Sequence, residues 1–357
     1  METIRVNLGP RSYDINIGSG LIPLLGIYLE QLKVGKKVLL VTNTAVRRLF
    51  GGMTEQGLAG KGYESVTFEI GDGEEYKTLS TAEKLYDLAF ESGLDRRCPV
   101  VALGGGVVGD TAGFVAATFL RGVPFVQVPT TLLAQVDSSV GGKVAVNHPK
   151  GKNIIGAFYQ PSLVLADTDT LKTLPDREIS SGMAEVIKYG IIWDSGFFAW
   201  LEENMIKLLE RDSKALAAAV VQSCRIKARV VEKDETEQGL RAVLNFGHTI
   251  GHAVEALTGY KTYNHGEAVG IGMAAAARLA ENTGMLSHSD SERIVNLIRQ
   301  AGLPAALPEG LSPKDLLDRL YRDKKATGGK LAFVLPKCIG KVTIVRDVKE
   351  RLINNLI

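Results

Sequence analysis

Four side chains in the second half of the chain have the types and spacing for metal chemistry. They are Glu185, in SGMAEVIKYG, and His248, His252 and His265, three of the five histidines, gathered in one 18-residue window. Two neutral imidazoles and one carboxylate make a zinc site with three protein ligands and an open position. That arrangement belongs to metals that react rather than metals that hold a fold. Spacing alone leaves two ligand sets. In one, His248 and His252 act as an i, i+4 pair. In the other, His248 joins His265, which stands beside Asn264 just before a helix, and His252 is left for substrate. Within NFGHTIGHAVEAL, Asn245, His248, His252 and Glu255 recur at spacings of three and four, which predicts one shared helical face. Leu244, Ile250, Val254 and Leu257 take the other faces, so the polar stripe is expected to point into a cleft or an internal site.

Other polar residues accompany these ligands. Glu185 and Lys188 are one turn apart, so a carboxylate and a cation share a face. Lys227, Glu237 and Arg241 surround the segment EKDETEQGLR. Most such charges are solvated or loosely paired. Arg241 gains weight by standing four residues before Asn245, and a guanidinium suits bidentate binding of a carboxylate. In the first half, PVVALGGGVVGD sets Gly104-x-Gly106-x-x-Gly109 between an apolar strand and a helix. Such a turn lets the backbone approach a pyrophosphate at a helix N-terminus. It departs from the usual dinucleotide fingerprint, because the acidic residue expected about 20 residues on is missing and Pro129-Thr130-Thr131 stands there. Asp72, Glu74 and Lys77 of GDGEEYK are then candidates to hold a ribose. Residues 128–158 read as a long polar loop. In it Lys143, Lys152 and Asn153 suit phosphate or polyol groups, Asp137 suits a hydroxyl, and Gly141-Gly142 permit close approach. Long loops inside compact domains are usually functional. A metal with an open position plus a dinucleotide-type turn suggests hydride chemistry at a metal-bound hydroxyl.

The elements that must position these residues fall into two groups. TIRVNL and YDINIG predict a hairpin, and KVLLVT, SVTFEI, PVVAL, PFVQV and SLVLAD predict short buried strands separated by helical stretches. Asn43-Thr44 can cap the helix after the first of these. This alternation indicates a parallel, doubly wound, Rossmann-like α/β sheet. After Leu174-Pro175 helix-period segments dominate, over roughly 176–190, 196–209, 213–234, 243–258, 265–283 and 289–301. Only KLAFVL and KVTIV near the end read as strands. The expected domains are therefore 1–170, the α/β half, and 171–357, a mostly α-helical half. The 357-residue length suits two cores. A net charge of +2 gives no argument for nucleic acid or an anionic membrane. Cys98, Cys224 and Cys338 are scattered, which suits reduced thiols in a cytoplasmic protein. The N-terminal residues show no secretory pattern, and glycines break the uncharged stretch 98–120, so no membrane span is expected.

Taken together, GDGEEYKT, LGGGVVGDTAGFVAATFLRG, VPTTLLAQVDSSVGGKVAVNHPKGKNIIGAFYQP, TLKTLP, GMAEVIKYG, LNFGHTIGHAVE, NHGEAVGIGM and DKKATGGK resemble the 3-dehydroquinate synthase family of the shikimate pathway. They run in the family's order from about residue 70 to 335. The resemblance implies an NAD-binding α/β domain, a helical metal-binding domain and an active site between them. It implies Glu185, His248 and His265 as ligands of Zn2+, with Co2+ as a substitute. It implies NAD contacts at Asp72, Gly73, Glu74, Glu75, Tyr76 and Lys77, at Gly106, Val107, Val108, Gly109 and Asp110, and at Thr130, Thr131, Lys143 and Lys152. Thr170, Leu171, Lys172 and Thr173 complete that set. Implied substrate-site residues are Asp137, Lys143, Asn153, Lys188, Lys227, Arg241, Asn245, His252 and Lys324, with Arg121 reaching a partner in a homodimer. The implied substrate is a sugar-acid phosphate, 3-deoxy-D-arabino-heptulosonate 7-phosphate, and the implied product is 3-dehydroquinate with phosphate released. A metal-dependent dehydrogenase of the glycerol type, a cyclase for another sugar phosphate and a non-catalytic binding protein are the alternatives.

Overall fold

The computed structural model describes residues 1–326, 331–346, 348–354 and 356, and of 322–326 and 354 the backbone alone. Contacts divide the chain into two units. One is Met1–Leu174 with Leu216–Thr236, and the other is Pro175–Ala215 with Glu237–Ile357. The boundary expected after residue 170 compares with one after Leu174. Leu216–Thr236 belongs to the first unit, although it lies within the expected 171–357 half.

The first unit is built on a seven-stranded sheet. Its members are β1 (Glu2–Val6), β2 (Tyr13–Gly18), β3 (Lys37–Asn43), β4 (Glu64–Ile70), β5 (Val100–Gly104) and β6 (Phe125–Pro129), together with a strand at Leu163–Asp167. A separate antiparallel hairpin, β7 (Lys143–His148) and β8 (Gly151–Phe158), precedes that last strand, which is therefore β9. The sheet order is β1-β2-β9-β6-β5-β3-β4. All neighbours run parallel except the β1–β2 hairpin at one edge. β5, β6 and β9 are buried at every residue, as continuous apolar runs covered on both faces must be. One face packs Leu85, Val108, Phe114 and Phe125, and the other Leu25, Leu29, Leu58 and Leu103. From β3 the chain moves outward to β4, then crosses back to β5 on the other side. The crevice beyond the carboxyl ends of β3 and β5 is thus the topological switch point, where such sheets bind ligands.

The stretch 128–158 is not a loop. It holds a helical turn, Ala134–Ser138, and the β7–β8 hairpin. β8 is exposed along most of its length, so GKNIIGAF has no apolar face for alternation to reveal.

The second unit packs helices Asp176–Ile192, Ser195–Leu209, His248–Leu257, His265–Asn282 and His288–Gln300, with the antiparallel hairpin β10 (Ala332–Cys338) and β11 (Lys341–Arg346). His265–Asn282 is its centre. Thirteen of its residues are buried, among them a run of alanines and glycines that lets neighbours approach closely. The helix expected over 243–258 is two pieces. Leu240–Asn245 is a 3-10 segment, Phe246 leaves it extended, and Gly247 turns at φ +80° before the α-helix starts at His248. Asn245 therefore does not continue the face of His248 and His252. Helix Pro313–Ala326 is not legible in the sequence because PKDLLDRLYRDKKA is mostly charged, and among its described side chains only Leu316 and Leu320 are buried.

Candidate metal and cofactor centres

Three helices deliver the metal candidates. Glu185 lies mid-way along Asp176–Ile192, and His248 and His265 are the first residues of their helices. Backbone contact brings them together. A Cβ on Gly266 would stand 2.1 Å from the Ser181 carbonyl oxygen, and one on Gly272 would stand 1.9 Å from that of Gly247. The helix of His265 therefore lies against both others at distances only glycine allows. Its start is fixed by a capping box of Asn264 and Glu267, and Arg177 clamps Glu267 with two hydrogen bonds of 2.7 Å.

The result is a tight cluster. Ligand atoms of Glu185, His248 and His265 all lie within 4.8 Å of one another. Glu185 Oε1 is 3.6 Å from His248 Nε2 and 3.7 Å from His265 Nε2. His248 Nδ1 is 3.1 Å from the Phe246 carbonyl, so it carries the hydrogen and leaves the Nε2 lone pair toward Glu185. On the far side, His265 Nδ1 is 3.9 Å from Glu255 Oε1. Of the two ligand sets left open by spacing, this one is brought together around Glu185. His252 instead groups with Glu255 and His265. Glu185 and Lys188 form an ion pair, and both are buried.

The electrostatics separate the two histidines. Burial, with help from Lys188, His265 and His252, outweighs Glu185 and pushes His248 down to about 3. Burial lowers His265 as well, but hydrogen bonding and attraction from Glu185 and Glu255 prevail and raise it to about 10. One imidazole is thus neutral and ready to ligate. The other holds a proton beside the carboxylates, in the place a divalent cation would fill. Two imidazoles and a carboxylate, converging and preoriented, fit a zinc-type ion.

Asn245 Nδ2 donates to Glu237 Oε1 at 2.8 Å, and Arg241 is buried. Lys324 and its neighbour Lys325 lie on helix Pro313–Ala326, but their side chains lie outside the described residues.

In the first unit, the cofactor candidates gather at strand carboxyl ends. Asp72–Lys77 follows β4, Gly106–Asp110 follows β5, Thr130 and Thr131 follow β6, and Thr170–Thr173 follows β9. Asn43, ending β3, donates to Asp72 at 2.5 Å. Lys77 is buried, ion-paired with Asp110, and donates to Asn153 Oδ1 at 2.6 Å. Burial raises the Asp110 pKa more than Lys77 lowers it. Thr130 Oγ1 is buried with no hydrogen-bond partner among the described residues, and its N–H donates to the Gly104 carbonyl, next to Gly105, the N-cap of helix Gly106–Thr118. A buried hydroxyl awaiting a partner, at a helix start on the switch point, fits a pyrophosphate. Some candidates serve the scaffold. Val108 and Leu171 are core residues, and Thr170 is tied to Gln135 and to the Asp167 carbonyl at 3.1 and 2.8 Å. Lys143, Lys152 and Arg121 are exposed. Asp137 Oδ1 and its own carbonyl both accept from Lys227 Nζ at 2.6 Å, which joins two residues far apart in sequence. Sequence reasoning missed Asn147, whose contacts tie this region together. Its only signal is an amide-bearing residue between the apolar run VAV and the polar segment HPKGK.

Family models fit this picture. The one described as 3-dehydroquinate synthase N-terminal matches residues 67–181, and the one described as 3-dehydroquinate synthase C-terminal matches residues 182–326. The chain belongs to the 3-dehydroquinate synthase family. A curated 3-dehydroquinate synthase from Pelotomaculum thermopropionicum is 66% identical over 353 residues, covering 99% of this chain and 95% of that one. Among solved structures, 2-epi-5-epi-valiolone synthase from Streptomyces hygroscopicus, with NAD+ and Zn2+ bound, is 29% identical at a TM-score of 0.89. That match covers 96% of this chain and 95% of the other. A 2-deoxy-scyllo-inosose synthase, complexed with carbaglucose-6-phosphate, NAD+ and Co2+, is 28% identical at a TM-score of 0.90, covering 99% and 98%. Among the described residues no helix is long and apolar enough to cross a membrane.

Proposed function

We propose that this chain converts 3-deoxy-D-arabino-heptulosonate 7-phosphate to 3-dehydroquinate and phosphate, with NAD and a divalent cation bound. The observation that carries the reading is the convergence of Glu185, His248 and His265 in a chain of this family. Those three would hold the ion, and the loops after β4, β5, β6 and β9 would hold NAD. When bound, the ion supplies a Lewis acid that acidifies a substrate hydroxyl, and NAD supplies a hydride acceptor that is restored within each cycle.

The protein's own groups then orient and stabilise charge. Arg241, a buried guanidinium, suits the substrate carboxylate. Lys143, Lys152 and Asn153 suit the phosphate, first as a ligand and then as a leaving group that carries its own base. Asp137, fixed by Lys227, presents a carboxylate oxygen to a ring hydroxyl. His252, exposed at the second turn of its helix, would help hold the phosphate as it leaves. Lys188 offsets the charge of Glu185. Most of the rate enhancement asked of these residues is positioning. Arg121, which is exposed, would reach the site of a second copy of the chain in a homodimer.

The test is phosphate release from the heptulosonate phosphate with substoichiometric NAD, before chelation, after it and after zinc add-back. The expected result is metal-dependent turnover far beyond the NAD supplied, with no NADH accumulating. One NADH per turnover, or no phosphate release by the metal-loaded protein, would sink the reading.

A further inference from the structure

The β7–β8 hairpin has an irregularity at one place. Val146 pairs with Ile155 and His148 with Gly151, so the register shifts across Asn147. Opposite it, Asn153 sits at φ +56°, a left-handed conformation that asparagine tolerates better than most residues. Bulges of this kind re-aim side chains near functional sites. Asn147 uses the freedom fully. Its backbone N–H donates to the Lys77 carbonyl at 2.8 Å. Its Oδ1 accepts the Asn153 N–H at 2.9 Å, and its Nδ2 donates to Glu74 Oε1 at 2.8 Å. Asn153 Oδ1 in turn accepts from Lys77 Nζ at 2.6 Å.

We infer that Asn147 is a positioning residue, which locks the Glu74–Lys77 turn and the left-handed Asn153 into one arrangement. It rests on the proposed reading, in which that turn meets NAD and Asn153 meets the substrate phosphate. Asn147 itself acts through these two neighbours. Its amide is suited to the task because it offers an acceptor to a backbone N–H and a donor to a carboxylate at once. Aspartate keeps the first bond and turns the second into a repulsion.

Three variants test this in the NAD- and metal-loaded protein. Asn147→Ala is expected to lower kcat/KM for the heptulosonate phosphate by about 100-fold, the cost of a misplacement of roughly 1 Å. At saturating NAD, where the Glu74–Lys77 arm no longer limits, the double variant Asn147→Ala/Asn153→Ala is expected to be no worse than Asn153→Ala alone, because the remaining arm acts through Asn153. Asn147→Asp is expected to recover most of the substrate kcat/KM while raising the KM for NAD. Amide exchange gives a readout that needs no turnover. The Asn153 amide is expected to exchange faster in Asn147→Ala and to regain protection in Asn147→Asp, with helix Gly106–Thr118 unchanged. Additive effects in the double variant at saturating NAD, or kcat/KM for Asn147→Ala within twofold of the parent, overturn the proposal. So does unaltered exchange at Asn153. If Asn147→Ala does not fold, Asn147→Asp decides by its split between substrate and NAD. If the parent protein releases no phosphate, the synthase reading falls, and amide exchange still decides the role of Asn147.

Discussion

His265 carries the clearest pH signature among the individual residues. In the metal-free protein Glu185 and Glu255 raise it to about 10, so binding a cation at neutral pH must expel its proton. His248, held near 3, has no proton to lose there. The apparent association constant for Zn2+ is therefore expected to rise about tenfold per pH unit between 7 and 9, with about one proton released. Calorimetry in buffers of different ionisation enthalpy reads that proton directly. The same shift has a sign for stability. A raised histidine stabilises the fold fully below its unfolded value of about 6.5, and that contribution is lost as pH climbs toward 10. Metal-free protein should lose denaturation midpoint over that window, and metal-loaded protein should not. Glu185→Gln is expected to cut bound zinc from about one ion per chain to near zero, checked by metal analysis on protein that keeps its circular dichroism. Arg241→Gln is expected to weaken substrate binding by about 10- to 100-fold, the worth of a charge-assisted hydrogen-bond pair. That should appear in KM for the carboxylate substrate.

At the level of elements, the metal centre depends on how closely three helices pass. Gly272→Ala would place a methyl 1.9 Å from the Gly247 carbonyl oxygen, and the helices would have to part. Overpacking of this kind costs roughly 1–3 kcal/mol. Denaturant unfolding should show that loss, with a parallel drop in zinc affinity because His248 and His265 move apart. This dependence also explains what could be read from sequence. The strands of the first unit were legible because parallel strands buried on both faces leave unbroken apolar runs, as in VVALG and LVLAD. The Glu185, His248 and His265 set was legible as types, while spacing could not choose between His252 and His265. That choice is made by helix crossings which the glycines permit. The break at Phe246–Gly247 and the hairpin inside residues 128–158 were hidden for a related reason. Local periodicity reports which face is buried, and an exposed strand or a helix interrupted by one left-handed glycine leaves that report almost unchanged.

Across the whole molecule, the chain does not divide at one point. It leaves the first unit after Leu174, comes back for Leu216–Thr236, and leaves again. The returning segment supplies Lys227 to Asp137, Glu232 to the Asn7 amide at 2.6 Å, and Glu235 to Arg11 at 2.6 Å. A fragment ending at residue 174 lacks all of these. It is expected to show a broad, weakly cooperative thermal transition by near-ultraviolet circular dichroism. The same fragment joined by a short flexible linker to 213–236 should melt sharply. No sequence signal pointed to this return, because the segment has the same helical period as its neighbours and periodicity does not say which core a helix joins. The return also sets a timetable during synthesis. The residues that complete the first unit emerge only after the first two helices of the second, Asp176–Ile192 and Ser195–Leu209, are already made. At about 5–20 residues per second, the roughly sixty residues between Leu174 and Thr236 take several seconds to appear. For that interval all seven strands of the sheet exist while the segment that supplies Lys227, Glu232 and Glu235 to the first unit is still to come.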